Sequence, residues 1–330
     1  VPSRFETEEL TIGSRALGEI CYSRLRMPNG TVCNPAFLAQ PTESSLLGFV
    51  FFGNGYAALS TANQFIFQPI TSQFLQTLFQ QQNVTSLDAN AALVFTTRYF
   101  SAEFLPYRVQ FVSEVQNPNF PVIDIHAAIE KSLVFSGGIP GEVISPNLRE
   151  WSAGLRVSLI QRDYVNGSFS LFDAISTDPR VLLPAVSQQA VLFAPTVAWV
   201  PAAAPWHLHA SVGAENLGRD FPQDPAFPDT ADLVAGIGVE PPVPLGTLSI
   251  GLDLVQLING PDFLSRFRLG ASYKLGILEM MAGANENAVT AGLQFSFQVI
   301  QVGIVYEFMR SDFSADTPDT RISTELGIRL

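Results

Sequence analysis

A closed antiparallel transmembrane β-barrel of about fourteen strands, all-β apart from one or two short helices, is the fold class this sequence predicts. Three observations predict it. Apolar and polar residues alternate over segments of about nine to eleven positions, the length a tilted strand needs to cross a bilayer. The polar faces are rich in Gly and Ser, and the charge is low. Of 330 residues, 47% are hydrophobic and 15% charged, against roughly 25% charged in a soluble domain. Lys131 and Lys274 are the only lysines.

The clearest segment sets Phe267, Leu269, Ala271, Tyr273 and Leu275 against Arg268, Gly270, Ser272 and Lys274. Successive side chains of a strand point to opposite faces, so one face is apolar and the other carries every charge. Trp151 to Leu159, Leu208 to Glu215, Leu248 to Leu254, Val289 to Phe297, Ile300 to Phe308 and Arg321 to Leu330 repeat the division. Further candidates are Ala91 to Tyr99, Tyr107 to Val115, Val122 to Phe135, Gln189 to Val200 and Asp232 to Val239. A soluble β-sandwich also alternates, but small polar residues suit a crowded barrel interior better than a solvent face. Turns are expected at Asn117-Pro118-Asn119, Gly137-Gly138 and Asn259-Gly260-Pro261, and longer links at Asn216 to Thr230 and Arg310 to Asp319.

Residues Ser44 to Leu87 carry no charge, yet side-chain amides and Gly53-Asn54-Gly55 argue against a membrane helix there, since each buried unpaired amide costs several kcal/mol. Ser45 to Phe52 reads as a short apolar strand. A helical insertion is expected near 62–82, where Ile70, Phe74, Leu75, Leu78 and Phe79 recur at helical spacing. It would pack on the body of the fold, or lie in a lumen or at a membrane interface.

With 18 basic against 30 acidic side chains, net −12, nucleic acid is excluded as a partner, because phosphate binding needs a basic stripe. Cys21 and Cys33 suit a small disulfide-closed loop in an oxidising compartment, and two buried thiols are the alternative. The chain opens at Val1 with no basic-then-apolar leader, as removal of an export signal would leave it.

At the N-terminus, Cys33-Asn34-Pro35-Ala36-Phe37-Leu38-Ala39 resembles the Asn-Pro-Ala motif that precedes the first strand of FadL-type outer-membrane proteins. Phe267 to Tyr273, Ala282 to Asn285, Thr290 to Leu293 and Arg321 to Leu330 resemble the C-terminal hairpins of PorV-like members of that superfamily. The resemblance implies a fourteen-stranded barrel integral to a bacterial outer membrane. Residues 1–43 would form a hatch or periplasmic segment across the lumen, with Asn34, Pro35 and Ala36 as the hatch motif, and 44–330 the barrel.

No Walker, dinucleotide, G-x-S-x-G or zincin motif is present, so the expectation is a non-enzymatic chain without cofactor or metal. His207 and His209 would share a strand face, as a metal pair or as ordinary lumen-lining or aromatic-belt residues. Asp220, Asp224, Asp229 and Asp232 read as a solvated acidic loop. Arg156, Arg266, Arg268 and Lys274 would cost roughly 2 to 4 kcal/mol each on the lipid face, so they should point into the lumen and pair with Asp253, Glu307 or Glu325. They would form either a structural network or a charge filter. Two functions fit: a conduit or holder for a hydrophobic small molecule or a protein segment, or a plugged scaffold that anchors lipoproteins or an envelope complex. In both, outer-membrane lipid and lipopolysaccharide surround the barrel.

Overall fold

The structure, a computed structural model, describes residues 11–25, 32–41, 44–53, 85–116, 122–170, 172–173, 183–203, 205–222, 230–260, 263–309 and 319–329. Its strands are β1 (Ser45–Gly53), β2 (Thr85–Thr97), β3 (Phe100–Gln116), β4 (Val122–Pro140), β5 (Trp151–Ser170), β6 (Ala185–Trp199), β7 (His209–Glu215) and β8 (Leu217–Phe221). The second half adds β9 (Asp232–Val239), β10 (Thr247–Leu254), β11 (Phe267–Leu275), β12 (Leu278–Ala284), β13 (Ala288–Ser296), β14 (Ile300–Met309) and β15 (Asp319–Arg329). β1 pairs with β15 and β5 with β6, all neighbours antiparallel, so the sheet closes on itself. The ring has fourteen strands. The fifteenth, β8, continues β7 beyond Asn216 and pairs with β6 over Gln189–Phe193. The helical insertion expected near 62–82, the turn at 117–119 and most of the link after Arg310 lie outside the described residues.

Alternation governs the wall. On β14, Val302, Ile304, Tyr306 and Phe308 are exposed on the outside, while Gln301, Gly303, Val305 and Glu307 are buried within. Closure leaves no strand edge in the ring with unsatisfied backbone groups, which a hydrocarbon surround demands. No helix among the described residues is long and apolar enough to cross a membrane. β3 carries Pro106, which cannot donate to a ladder, and the register shifts there against both β2 and β4. Strand length varies around the ring, from 20 residues in β5 to 7 in β12.

Two sequence expectations change. Gly137-Gly138 is not a turn but the interior of β4. A β-carbon on Gly138 would lie 2.5 Å from the carbonyl oxygen of Pro35. The glycine is there for close approach rather than for bending. The link Asn216 to Thr230 begins with β8: Asn216 takes a positive φ of 54° and the chain then resumes pairing. Its acidic composition hid the strand.

The inside of the ring is filled by the N-terminal segment. Helix α1 (Ile12–Ala16) is capped by the Thr11 side chain, which accepts from Ser14 N at 3.1 Å. Its residues Ile12 and Ala16, with Leu17 and Ile20, form one core cluster with Leu47, Phe49 and Phe51 of β1, Met281 and Val305. That explains why β1 is apolar on both faces: its inner face covers α1 and its outer face, Val50 and Phe52, is exposed. Cys21 and Cys33 are joined by a disulfide with a Cα–Cα distance of 5.4 Å. A non-reducing proteolytic digest is expected to yield one Cys21–Cys33 linked peptide pair by mass spectrometry; free thiols would contradict the structure.

Candidate functional site: a lumen closed by the N-terminal segment

The motif Asn34-Pro35-Ala36 works as a local stop and dock. Asn34 caps the 3₁₀ turn Pro35–Ala39, its side chain accepting from Ala36 N at 3.1 Å, and Pro35 supplies a preset first turn. Ala36 N also donates to Thr196 Oγ1 of β6 at 3.1 Å. A β-carbon on Gly154 of β5 would collide with the Pro35 and Ala36 backbone, so that wall must be glycine. Leu38 O accepts from Tyr99 N in the tight β2–β3 turn at 3.0 Å. The motif therefore sits at the end of the barrel that carries the short turns.

Upstream, the segment is gripped by carboxylates of the inner wall. Asp253, 0% exposed, accepts from the backbone N–H groups of Cys21, Tyr22 and Ser23, the last two at 2.7 Å. Glu325 accepts from Ile12 N at 2.9 Å. Glu307 lies 3.8 Å from the Arg15 guanidinium and 3.7 Å from that of Arg321, and Asp88 meets the same two arginines at 3.3 and 3.0 Å. Arg24 bonds Glu279 at 2.7 Å and Ser272 Oγ at 3.0 Å. Burial pulls the Arg24 guanidinium below its usual range and Glu279 opposes that shift. The Tyr22 hydroxyl donates to Glu215; burial, reinforced by that carboxylate, pushes the phenol well above its ordinary value.

Beside this segment runs a cavity of about 220 Å³, bounded by Cys21, Tyr22 and Cys33 on one side. Its lining mixes Leu105, Val134, Ile160 and Leu192 with Glu103, Arg108, Glu130, Arg156, Arg162, Glu215 and Arg268. The charges are largely cross-linked: Glu130 meets Arg108 at 3.5 Å and Arg162 at 2.9 Å, and Arg162 also bonds Gln188 at 3.1 Å. The lining extends to Asn216 and Phe193, a side chain exposed on the outer surface. At that level β7 gives way to β8. β9 begins opposite Glu215, and among the described residues no strand pairs with the far edge of β8.

Arg156 and Arg268 line this cavity, and Asp253 and Glu307 are buried beside the N-terminal segment. Arg268 bonds Glu19 O at 3.3 Å and lies 3.9 Å from the Glu19 carboxylate. Arg266 stands in the 3₁₀ turn before β11 and donates to Gly260 O at 3.3 Å. Lys274 is exposed near the tight turn that ends β11. Sequence reasoning sought partners for the wall charges on the wall; it missed that Arg15, Glu19, Arg24 and the backbone of 12–23 supply many of them. His207 and His209 part company: His207 is exposed in the 3₁₀ turn Pro205–His207, while His209 opens β7, buried, with Nε2 2.8 Å from Ser23 O. No group of three metal-ligating side chains occurs among the described residues.

No family model matches the sequence, and no curated protein does. Solved structures do match in shape. The toluene transporter TbuX of Ralstonia pickettii superposes with a TM-score of 0.54 at 9% identity, over 97% of each chain. The toluene transporter TodX of P. putida gives 0.52 at 11% identity, over 98% of this chain and 99% of that one. CymD, a monoaromatic hydrocarbon channel, gives 0.51 at 13% identity over 96% of each. Over nearly its whole length, this chain shares the fold of these two toluene transporters and of the monoaromatic hydrocarbon channel.

Proposed function

We propose that the protein is a non-enzymatic conduit for a small hydrophobic molecule, integral to a bacterial outer membrane, with its short-turn end in the periplasm. The observation that carries this reading is the cavity's course. It runs between aliphatic side chains and largely paired charges in the lumen, and its lining reaches the wall at Asn216, where β7 gives way to β8. A molecule taking that course need not displace the N-terminal segment. The shared fold supports the same reading, since TbuX and TodX are toluene transporters and CymD is a monoaromatic hydrocarbon channel. On this reading Asn34, Pro35 and Ala36 hold the closed hatch, and Arg156 and Arg268 line the conduit as fixed charges.

The test is uptake of radiolabelled toluene by vesicles containing the purified protein. Uptake should exceed that of empty vesicles by several fold, while ion conductance in planar bilayers stays low because the N-terminal segment fills the lumen. A second reading, a plugged scaffold for lipoproteins or an envelope complex, draws on how thoroughly Asp253, Glu325 and Arg24 fasten that segment. It also fits the PorV-like C-terminal hairpins. Toluene uptake no greater than in empty vesicles, together with a lipoprotein that co-purifies in fixed ratio, would replace the conduit with the scaffold.

A further inference from the structure

The inner wall holds the N-terminal segment by a series of hydrogen bonds to its main chain. Glu325 and Asp253 accept from peptide N–H groups of Ile12, Cys21, Tyr22 and Ser23. Thr290 Oγ1 donates to Ala16 O at 2.9 Å, Arg268 to Glu19 O at 3.3 Å and Ser211 Oγ to Tyr22 O at 2.5 Å. These wall groups come from β7, β10, β11, β13 and β15, so the grip runs along the segment instead of clustering at one end.

Backbone access is provided by a row of glycines across four neighbouring strands. Gly238, Gly251, Gly270 and Gly283 are directly paired from β9 to β12. A β-carbon at any of them would collide with residues 17–23. Beside the apolar seat of Ile12, Ala16, Leu17 and Ile20 and the Tyr22–Glu215 bond, positive charge is recognised at two places: Arg15 between Asp88 and Glu307, and Arg24 on Glu279. Buried hydrogen bonds to main-chain groups are indifferent to side-chain identity, whereas the two acidic pockets select positive charge.

We propose that the inner wall from β7 to β15 is a receptor for an arginine-bearing polypeptide segment that opens with a helical turn, and that residues 12–24 occupy it in cis as a replaceable ligand. The occupant the site would take in trans is a segment of another polypeptide with the same chemistry. This goes beyond the hydrocarbon conduit, and toluene uptake through the cavity neither requires it nor depends on its failure.

A tethered occupant acts at an effective concentration in about the millimolar range and would mask exchange, so the tether has to be cut. A protease site is placed between positions 26 and 31, the full chain is folded and cut, and the Cys21–Cys33 disulfide then retains or releases the N-terminal piece. The probe is a fluorescent synthetic peptide of residues 11–25 carrying Cys21→Ser. With the disulfide intact, binding should stay below one tenth of the barrels. After reduction, binding should be saturable at one per barrel. N-methylation at Tyr22 and Ser23 should weaken it at least about tenfold, the loss expected for hydrogen bonds to a charged acceptor. The double change Arg15→Ala and Arg24→Ala should weaken it similarly. Absence of exchange after reduction, or equal binding of the N-methylated peptide, overturns the proposal. If the cut barrel does not stay folded, a photoreactive form of the same peptide is present while the uncut, reduced chain refolds, at about ten times the tether's effective concentration so that it competes with the tethered segment. Labelling of β10–β13 that N-methylation suppresses supports the receptor, and labelling that it leaves unchanged, or none at all, overturns it.

Discussion

Leu269→Arg is expected to prevent assembly of the barrel, whereas Arg268→Leu should leave it folded and heat-modifiable on a gel. The two residues are adjacent on β11 and face opposite ways. Leu269 is 50% exposed on the outer surface, flanked in register by Leu252 and Ala284. An arginine there would stand in hydrocarbon at a cost of roughly 2 to 4 kcal/mol, a large part of the stability of a typical domain. Arg268 points inward to Glu19, which also has Arg15 at 3.5 Å and Asn285 at 3.1 Å, so its loss leaves that carboxylate partnered. Equal effects of the two changes would mean that the facing of β11 is wrong.

Asp253→Ala should unseat the middle of the N-terminal segment and turn a poorly conducting barrel into one that conducts ions. Three backbone donors, at Cys21, Tyr22 and Ser23, lose their acceptor at once in a site closed to water. A buried donor left without a partner costs about 1 to 3 kcal/mol, and moving the segment off the wall, so that water reaches those groups, is the simplest way to avoid that. Asp253→Asn keeps one acceptor oxygen and should lie between the wild type and the alanine variant. Planar-bilayer conductance of the three proteins orders them, and an alanine variant as quiet as the wild type would show that the grip lies elsewhere. The barrel itself should survive, because the carboxylate faces the segment rather than carrying the β10–β11 ladder.

The outward face of the wall was legible in the sequence because hydrocarbon imposes one rule on every strand. Trp151 to Leu159 and Ile300 to Phe308 read correctly from alternation alone. β1 gave a run of apolar residues with no period, and only the presence of α1 beneath Leu47, Phe49 and Phe51 explains it. The glycines were seen as a mark of a crowded interior, but their purpose depends on a segment distant in sequence, as Gly138 shows against Pro35 and Gly283 against Gly18. For the same reason the charges were placed inside while their partners were missed. Glu307 meets Arg15 and Glu325 meets Ile12 N, both across almost the whole length of the chain, and no spacing rule reports such a contact. The disulfide was legible because both cysteines belong to one stretch and only two exist.

The unequal strands have a consequence for how molecules arrive from outside. β5 has 20 residues and β10 has 8; at about 3.3 Å per residue and a tilt near 40°, one flank stands on the order of 30 Å higher than the other. Among the described residues, the strands at the end opposite the short turns therefore stand tall from β3 to β6 and low from β9 to β13. Under the conduit reading, a molecule that enters over the low flank meets the tall one first, beside the interrupted seam at β8.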